Sequence, residues 1–153
     1  MLPPGVTMSG YDPAPWPPVV LSAVVPVRNE APNILPLVGE LRAALAAVSA
    51  RHGVEIVYVD DASEDETRRH LAEAVLLSGA PLLWLRHRRP SGQSAAIATG
   101  IGAAVGDWIA TLDGDGQNDP ADIPALFDLA GVYWLARRGM QPEIPMPDQE
   151  ARS

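Results

Sequence analysis

In the stretch LDGDGQNDP, Leu112 to Pro120, Asp113 and Asp115 stand two positions apart directly after the apolar run DWIATL. Carboxylates at the end of a buried strand are costly to desolvate unless a cation or hydrogen-bond donors meet them. Two other polar clusters have the same setting. Arg28, Asn29 and Glu30 follow VVLSAVVPV, and Asp60 and Asp61 follow VEIVYV. Oxygen donors that include few protein carboxylates suit Mg²⁺ or Mn²⁺, with phosphate oxygens completing the shell. The chemistry open to these residues is to gather a divalent ion that in turn holds a diphosphate.

Such a site needs elements that bring three distant clusters to one place. VVLSAVVPV (19–27) is a valine-rich run with a polar exit, the pattern of a buried strand. ILPLVGELRAALAAVSA (34–50) then sets Leu37, Leu41, Leu45 and Val48 at helical spacing, with Pro32 suited to a first turn. VEIVYVDDAS reads as a second strand, and SEDETRRHLAEAVLLSG as a helix capped by Ser63 and stopped at Gly79. PLLWLRHRR is a third strand, SGQSAAIATGIGAAVG a small-residue helix, and DWIATLDGD a fourth strand. A short helix should start near Pro120. Strands alternating with helices predict an α/β fold with a mostly parallel sheet and helices on both faces. The strands are apolar throughout, as a sheet covered on both sides requires. In open sheets of this kind ligands bind at the carboxyl ends of the strands, where all three clusters fall. Residues 1–18, rich in Pro and Gly, read as a flexible arm, and residues 131–153 as an atypical, partly disordered tail.

Composition narrows the chemistry. With no cysteine among 153 residues, disulfides, thiolate zinc sites and cysteine nucleophiles are excluded. A net charge of −8 argues against nucleic acid as a partner. Lysine is absent, which removes a P-loop and the phosphoaspartate chemistry of receiver domains. An EF-hand loop opened by Asp113 would need Gly where Asn118 stands and Glu where Pro124 stands. GIGAAVG (100–106) lies inside a helical stretch, so its glycines predict close helix packing and not a dinucleotide loop. The basic cluster Arg86, His87, Arg88 and Arg89 reads equally as a diphosphate neutraliser or as a solvated strand end, and His52 and His70 read as surface residues. No apolar run approaches ~18 residues, and the N-terminus lacks the pattern of a signal peptide, so a cytoplasmic location is expected.

Taken in order, LSAVVPVRNEAPNI, EIVYVDDASEDET and GQSAAIATGIGAAVGDWIATLDGDGQNDPADIP closely resemble family 2 glycosyltransferases of the GT-A fold. The nearest branch is the dolichol- and undecaprenyl-phosphate sugar transferases, whose metal motif commonly reads Asp-Ala-Asp-Leu-Gln where this chain has Asp113-Gly114-Asp115-Gly116-Gln117. The resemblance covers Val19 to about Ala130. It implies a nucleotide-sugar pocket lined by Pro26, Arg28, Asn29, Glu30, Asp60, Asp61, Gln93 and Asp113, with Asp113, Asp115 and Gln117 at a Mg²⁺ or Mn²⁺ site.

It further implies metal-dependent, inverting transfer from a UDP- or GDP-sugar to a polyprenyl phosphate at the inner face of a membrane. In the family an acceptor half follows the donor half, and AGVYWLARRGMQPEIP does not resemble that continuation. The alternative expectation is therefore a nucleotide-sugar-binding module or fragment without turnover. A donor half alone is expected to leave a sheet edge uncovered and to self-associate.

Overall fold

The valine-rich run 19–27 forms a strand over its whole length, and the alternation expected after it is present. The computed structural model describes residues 4–10, 18–50, 52–128 and 135–137. In chain order these form β1 (Val6–Gly10), β2 (Val19–Val27), α1 (Ala31–Ser49), β3 (Gly53–Asp60), α2 (Thr67–Leu76), β4 (Leu82–His87), α3 (Gln93–Ala103), β5 (Trp108–Thr111), α4 (Asp122–Asp128) and β6 (Leu135–Arg137).

The strands make one sheet in the order β1-β4-β3-β2-β5-β6. β4, β3, β2 and β5 are mutually parallel, and β1 and β6 add to the two ends antiparallel. Because side chains alternate along a strand, each buried strand serves two cores. Ala23, Val25, Ile56, Tyr58, Leu82 and Trp84 pack with α1 and α2 on one face. Val24, Val57, Val59, Leu83 and Leu85 pack with α3 on the other. That double use is why the strands carry no polar alternation. α1 buries Ile34, Leu37, Val38, Leu41, Leu45 and Val48, and each fully buried Leu contributes about 1.5–3 kcal/mol by leaving water. Among the described residues α1 is the one helix long and apolar enough to cross a membrane by length and composition. Here its apolar stripe is spent on the sheet.

Several expectations need correction. The arm predicted for residues 1–18 contains β1, whose pairing with β4 runs from Val6↔His87 to Gly10↔Leu83. Apolar and β-branched residues at Val6 and Thr7 satisfy an exposed ladder despite the flanking Pro and Gly; residues 11–17 lie outside the described residues. β6 adds to the other end, so β1 and β6 flank the parallel strands and form the outer edges of the sheet. The disordered tail predicted beyond it also falls outside the described residues. α2 begins at Thr67 instead of at Ser63, because Ser63 is committed to another loop.

Candidate functional site

Four parallel strands end together, at His87, Asp60, Val27 and Thr111, and the loops that leave them enclose a cleft of about 470 Å³. Pro26, Arg28, Glu30, Asp61, Gln93, Asp113 and Asp115 line it, with Gly92, Ala96 and Gly114 between them. Residues up to 89 positions apart in sequence (26 to 115) thus share one cleft, as the rule for open α/β sheets anticipates.

The loop carrying Arg28 and Glu30 is held by the loop after β3. Asn29 N–H donates to Ser63 Oγ (2.8 Å), Glu30 N–H to Thr67 Oγ1 (2.9 Å) and Ala31 N–H to Asp65 Oδ2 (3.2 Å). In return Glu64 N–H donates to Asn29 Oδ1 (2.9 Å), and His70 Nδ1 donates to the Ala31 carbonyl (2.8 Å). The amides that lead into α1, up to its first residue Ala31, are therefore bound by a neighbouring element, and Glu30, the N-cap residue, makes no side-chain cap bond of its own. Asn29 takes φ +52°, a left-handed conformation Asn tolerates, and this turns Arg28 and Glu30 towards the cleft side of the loop. Asn33 Nδ2 donates to Glu30 Oε2 at 2.7 Å and steadies that carboxylate.

Asp61 is the most heavily partnered carboxylate of the cleft. Its Oδ1 receives His87 Nδ1–H (2.7 Å) and Ser91 N–H (2.8 Å), and its Oδ2 receives Gly92 N–H (2.8 Å). Burial alone would raise its pKa; the His87 side chain and the two backbone amides outweigh that and hold it below the ordinary carboxylate value. Asp61 is ionised at neutral pH, with oxygen facing the cleft. Ala62, at φ +60°, turns the chain so that Ser63 N–H reaches back to Asp60 Oδ1 at 2.9 Å.

On the opposite wall, Gln93 Nε2 donates to Asp113 Oδ1 (2.8 Å), Asn118 Oδ1 accepts from Asp113 N–H (2.8 Å), and Gln117 N–H donates to Asp115 Oδ1 (3.0 Å). Gly114 is needed there: a Cβ would run into Val27 Cγ1 and come within 3.0 Å of the Pro26 carbonyl. Among the described residues no group of three or more His, Cys, Asp or Glu is gathered for a metal. Two carboxylates, each with one oxygen engaged and one left, form a donor set that suits a hard ion bound jointly with a diphosphate. It does not suit a closed all-protein cage. Asp113 and Asp115 fit Mg²⁺ or Mn²⁺ on those terms.

Three predicted residues do not reach the cleft. Asp60 is fully buried, with Oδ2 3.7 Å from Arg86 Nε and neither atom hydrogen-bonded. It shapes the β3 exit from below. Asn29 faces the neighbouring loop. Gln117 lines a separate cavity with Thr111, Asn118 and Asp119, and offers Asp115 only its backbone amide. The reason is common to all three: consecutive residues at a strand end or in a turn point in different directions. Conversely, His87 and Thr99 carry part of the site that sequence reading missed. His87 is buried, not a solvated strand end, and bridges Asp61 to Thr99. Its signal was an isolated His within an arginine run at a strand terminus.

Comparison with known proteins places this arrangement. Residues 22–134 match the model of "Glycosyl transferase family 2". The chain is similar to the dodecaprenyl-phosphate galacturonate synthase of Rhizobium johnstonii, with 45% identity over 106 residues, covering 69% of this chain and 31% of that protein. It is also similar to the undecaprenyl-phosphate 4-deoxy-4-formamido-L-arabinose transferase of Pseudomonas savastanoi pv. phaseolicola, with 39% identity over 116 residues, covering 76% of this chain and 34% of the relative. The chain thus spans about a third of the length of these relatives. Among solved structures, the mannosyltransferase PcManGT of Pyrobaculum calidifontis in complex with GDP-Man and Mn²⁺ superposes with a TM-score of 0.56 at 24% identity, over 74% of this chain and 32% of that one. S. aureus TarS 1-349 in complex with UDP-GlcNAc superposes with a TM-score of 0.57 at 21% identity, over 72% and 32%. These likenesses show the GT-A fold. Since the family match runs from within β2 past α4, it rests on the whole α/β unit and not on one acidic motif: the chain belongs to glycosyl transferase family 2.

Proposed function

We propose that this chain is the donor-binding part of a metal-dependent, inverting transferase that moves a sugar from a UDP- or GDP-sugar to a polyprenyl phosphate, working from the cytoplasm at the inner face of a membrane. The observation that carries this reading is the single cleft shared by Arg28, Glu30, Asp61, Gln93, Asp113 and Asp115. Relatives named for dodecaprenyl- and undecaprenyl-phosphate support the acceptor class, and neighbours bound to GDP-Man and UDP-GlcNAc support the donor class.

Asp113 and Asp115 hold Mg²⁺ or Mn²⁺, which when bound supplies Lewis-acid stabilisation of the negative charge gathering on the nucleoside diphosphate leaving group. Gln93 and the Gln117 amide keep the two carboxylates oriented before the donor arrives, so little reorganisation is needed in the transition state. Arg28 brings a guanidinium to the same cleft. Asp61 accepts an N–H from the base. In the transfer, a phosphate oxygen of the acceptor bonds to the anomeric carbon from the face opposite the leaving diphosphate as the old glycosidic C–O bond breaks. The acceptor oxygen is already anionic at neutral pH, so these residues have no proton to remove.

Calorimetric titration with UDP and with GDP, each with and without Mn²⁺, tests the donor half of this reading. Binding of one nucleotide that depends on the metal is expected. Asp115→Asn should weaken it by at least about tenfold, the loss of one charged ligand. Absence of metal-dependent heat with both nucleotides refutes the reading. Transfer to a short polyprenyl phosphate tests the rest: nucleotide binding without product would make the chain a binding module.

A further inference from the structure

Counting lone pairs on Asp61 leaves little room for a ligand. A carboxylate has about four acceptor sites. Oδ1 is filled by His87 Nδ1–H and Ser91 N–H, and Oδ2 already accepts from Gly92 N–H. One site on Oδ2 remains for whatever enters the cleft. The imidazole that fills Oδ1 is fixed at its other end as well: Nε2 lies 2.8 Å from Thr99 Oγ1, one residue before the close approach of α3 to the sheet at Gly100. His87 and Thr99 are 6% and 8% exposed, so neither is free to turn to water. His87 does not line the donor cleft. It faces a second cavity behind it, with Ser91 and Thr99.

The tautomer follows from the partners. An ionised Asp61 only accepts, so Nδ1 carries a proton; in the neutral ring Nε2 then accepts from Thr99 Oγ1–H. Without the ring, Oδ1 would have an open site. The terminal torsion of an Asp side chain is broad, so the carboxylate could then trade orientations with water.

We propose that His87 is a positioning residue for donor recognition: anchored by Thr99, its Nδ1–H locks the Asp61 carboxylate so that a single oxygen site is presented to an N–H of the nucleotide base. This rests on the reading of the cleft as a nucleotide site, and it adds that the selecting contact is supported from β4 and α3 by residues that do not line the cleft. A ligand lacking an N–H donor at that point would leave the remaining Oδ2 site unpaired, which is where discrimination between bases would arise.

The test uses three substitutions at one position, titrated with UDP and GDP in Mn²⁺. His87→Leu removes both polar ends of the ring and should weaken binding roughly tenfold, the value of one charge-assisted hydrogen bond. His87→Asn places an amide N–H where Nδ1–H stood and should recover most of that loss. His87→Gln places its amide near the Nε2 end and should not. A purely space-filling role would not separate Asn from Gln, so equal affinities for the two overturn the proposal even if the Leu variant fails to fold. Unaltered binding by His87→Leu, with Asp61→Asn still impaired, overturns the role of His87 and leaves the nucleotide site standing. No binding by the unsubstituted chain overturns both. Long-range ¹H–¹⁵N spectra of the unsubstituted protein give a separate check: a protonated Nδ1 is expected, and a bare Nδ1 defeats the proposal.

Discussion

Two glycines two residues apart in α3 should respond in opposite directions to the same change. A Cβ on Gly100 would stand 2.5 Å from Val24 Cγ1 and 3.0 Å from Val59 Cγ2. Carbon atoms pack at ~3.5–4.0 Å, so the helix has to retreat by about 1 Å. Both valines are fully buried and β-branched and cannot swing aside. Overpacking of this kind costs ~1–3 kcal/mol, against a helix-propensity gain of ~1 kcal/mol for Ala over Gly. With two close contacts to rigid valines the steric term is the larger, so Gly100→Ala should destabilise by up to about 2 kcal/mol. A Cβ on Gly102 meets nothing within 4 Å. Only propensity acts there, and Gly102→Ala should stabilise by ~0.5–1 kcal/mol. Urea unfolding followed by far-ultraviolet circular dichroism, with m-values compared to confirm two-state behaviour, measures both. Because α3 delivers Gly92 and Gln93 to the cleft, Gly100→Ala should also weaken nucleotide binding, and Gly102→Ala should not. A Gly100→Ala protein as stable as the parent would refute the packing of α3 on β2 and β3.

Other consequences can be checked in the same way. Asp61 has a folded pKa below its unfolded one, so its contribution to stability is fully present above the usual carboxylate pKa of ~4 and is lost as pH falls through the depressed value; acid unfolding curves should show this limb, and Asp61→Asn should flatten it. Glu55 is buried beneath α3, where it accepts from Ser22 Oγ (2.7 Å) and Val105 N–H (2.8 Å). Glu55→Leu would strand these donors, and a loss of about 2–4 kcal/mol is expected in urea unfolding; a change under about 0.5 kcal/mol would contradict the network. Gly114→Ala should drive Val27 and the Asp113–Asp115 turn apart and weaken metal-dependent nucleotide binding, with partial recovery when Val27→Ala is added. Additive losses in the double variant would show that the two side chains do not meet.

Periodicity and composition by themselves determined the scaffold. The run 19–27 could only be a doubly buried strand, since every second residue feeds a different core, and the Leu37–Leu41–Leu45–Val48 stripe has one face to bury. The order of strand and helix then dictated parallel pairing, and parallel pairing put the polar exits of those strands on one rim. That is local information propagated by simple geometry, and it was enough to choose Arg28, Glu30, Asp61, Asp113 and Asp115 as neighbours; Pro26 and Gln93 were implied only by the resemblance to the family. What tertiary structure decided is direction. Adjacent residues at a strand end point oppositely, so Asp61 meets the cleft while Asp60 is enclosed beside Arg86. The turn at 113–117 sends Gln117 to another cavity, and the left-handed backbone at Asn29 commits it to the next loop. The role of His87 was hidden for the same reason. Its partners are 26 and 12 residues away in sequence, and only the register of β4 on β3 and the seating of α3 bring them within hydrogen-bond reach.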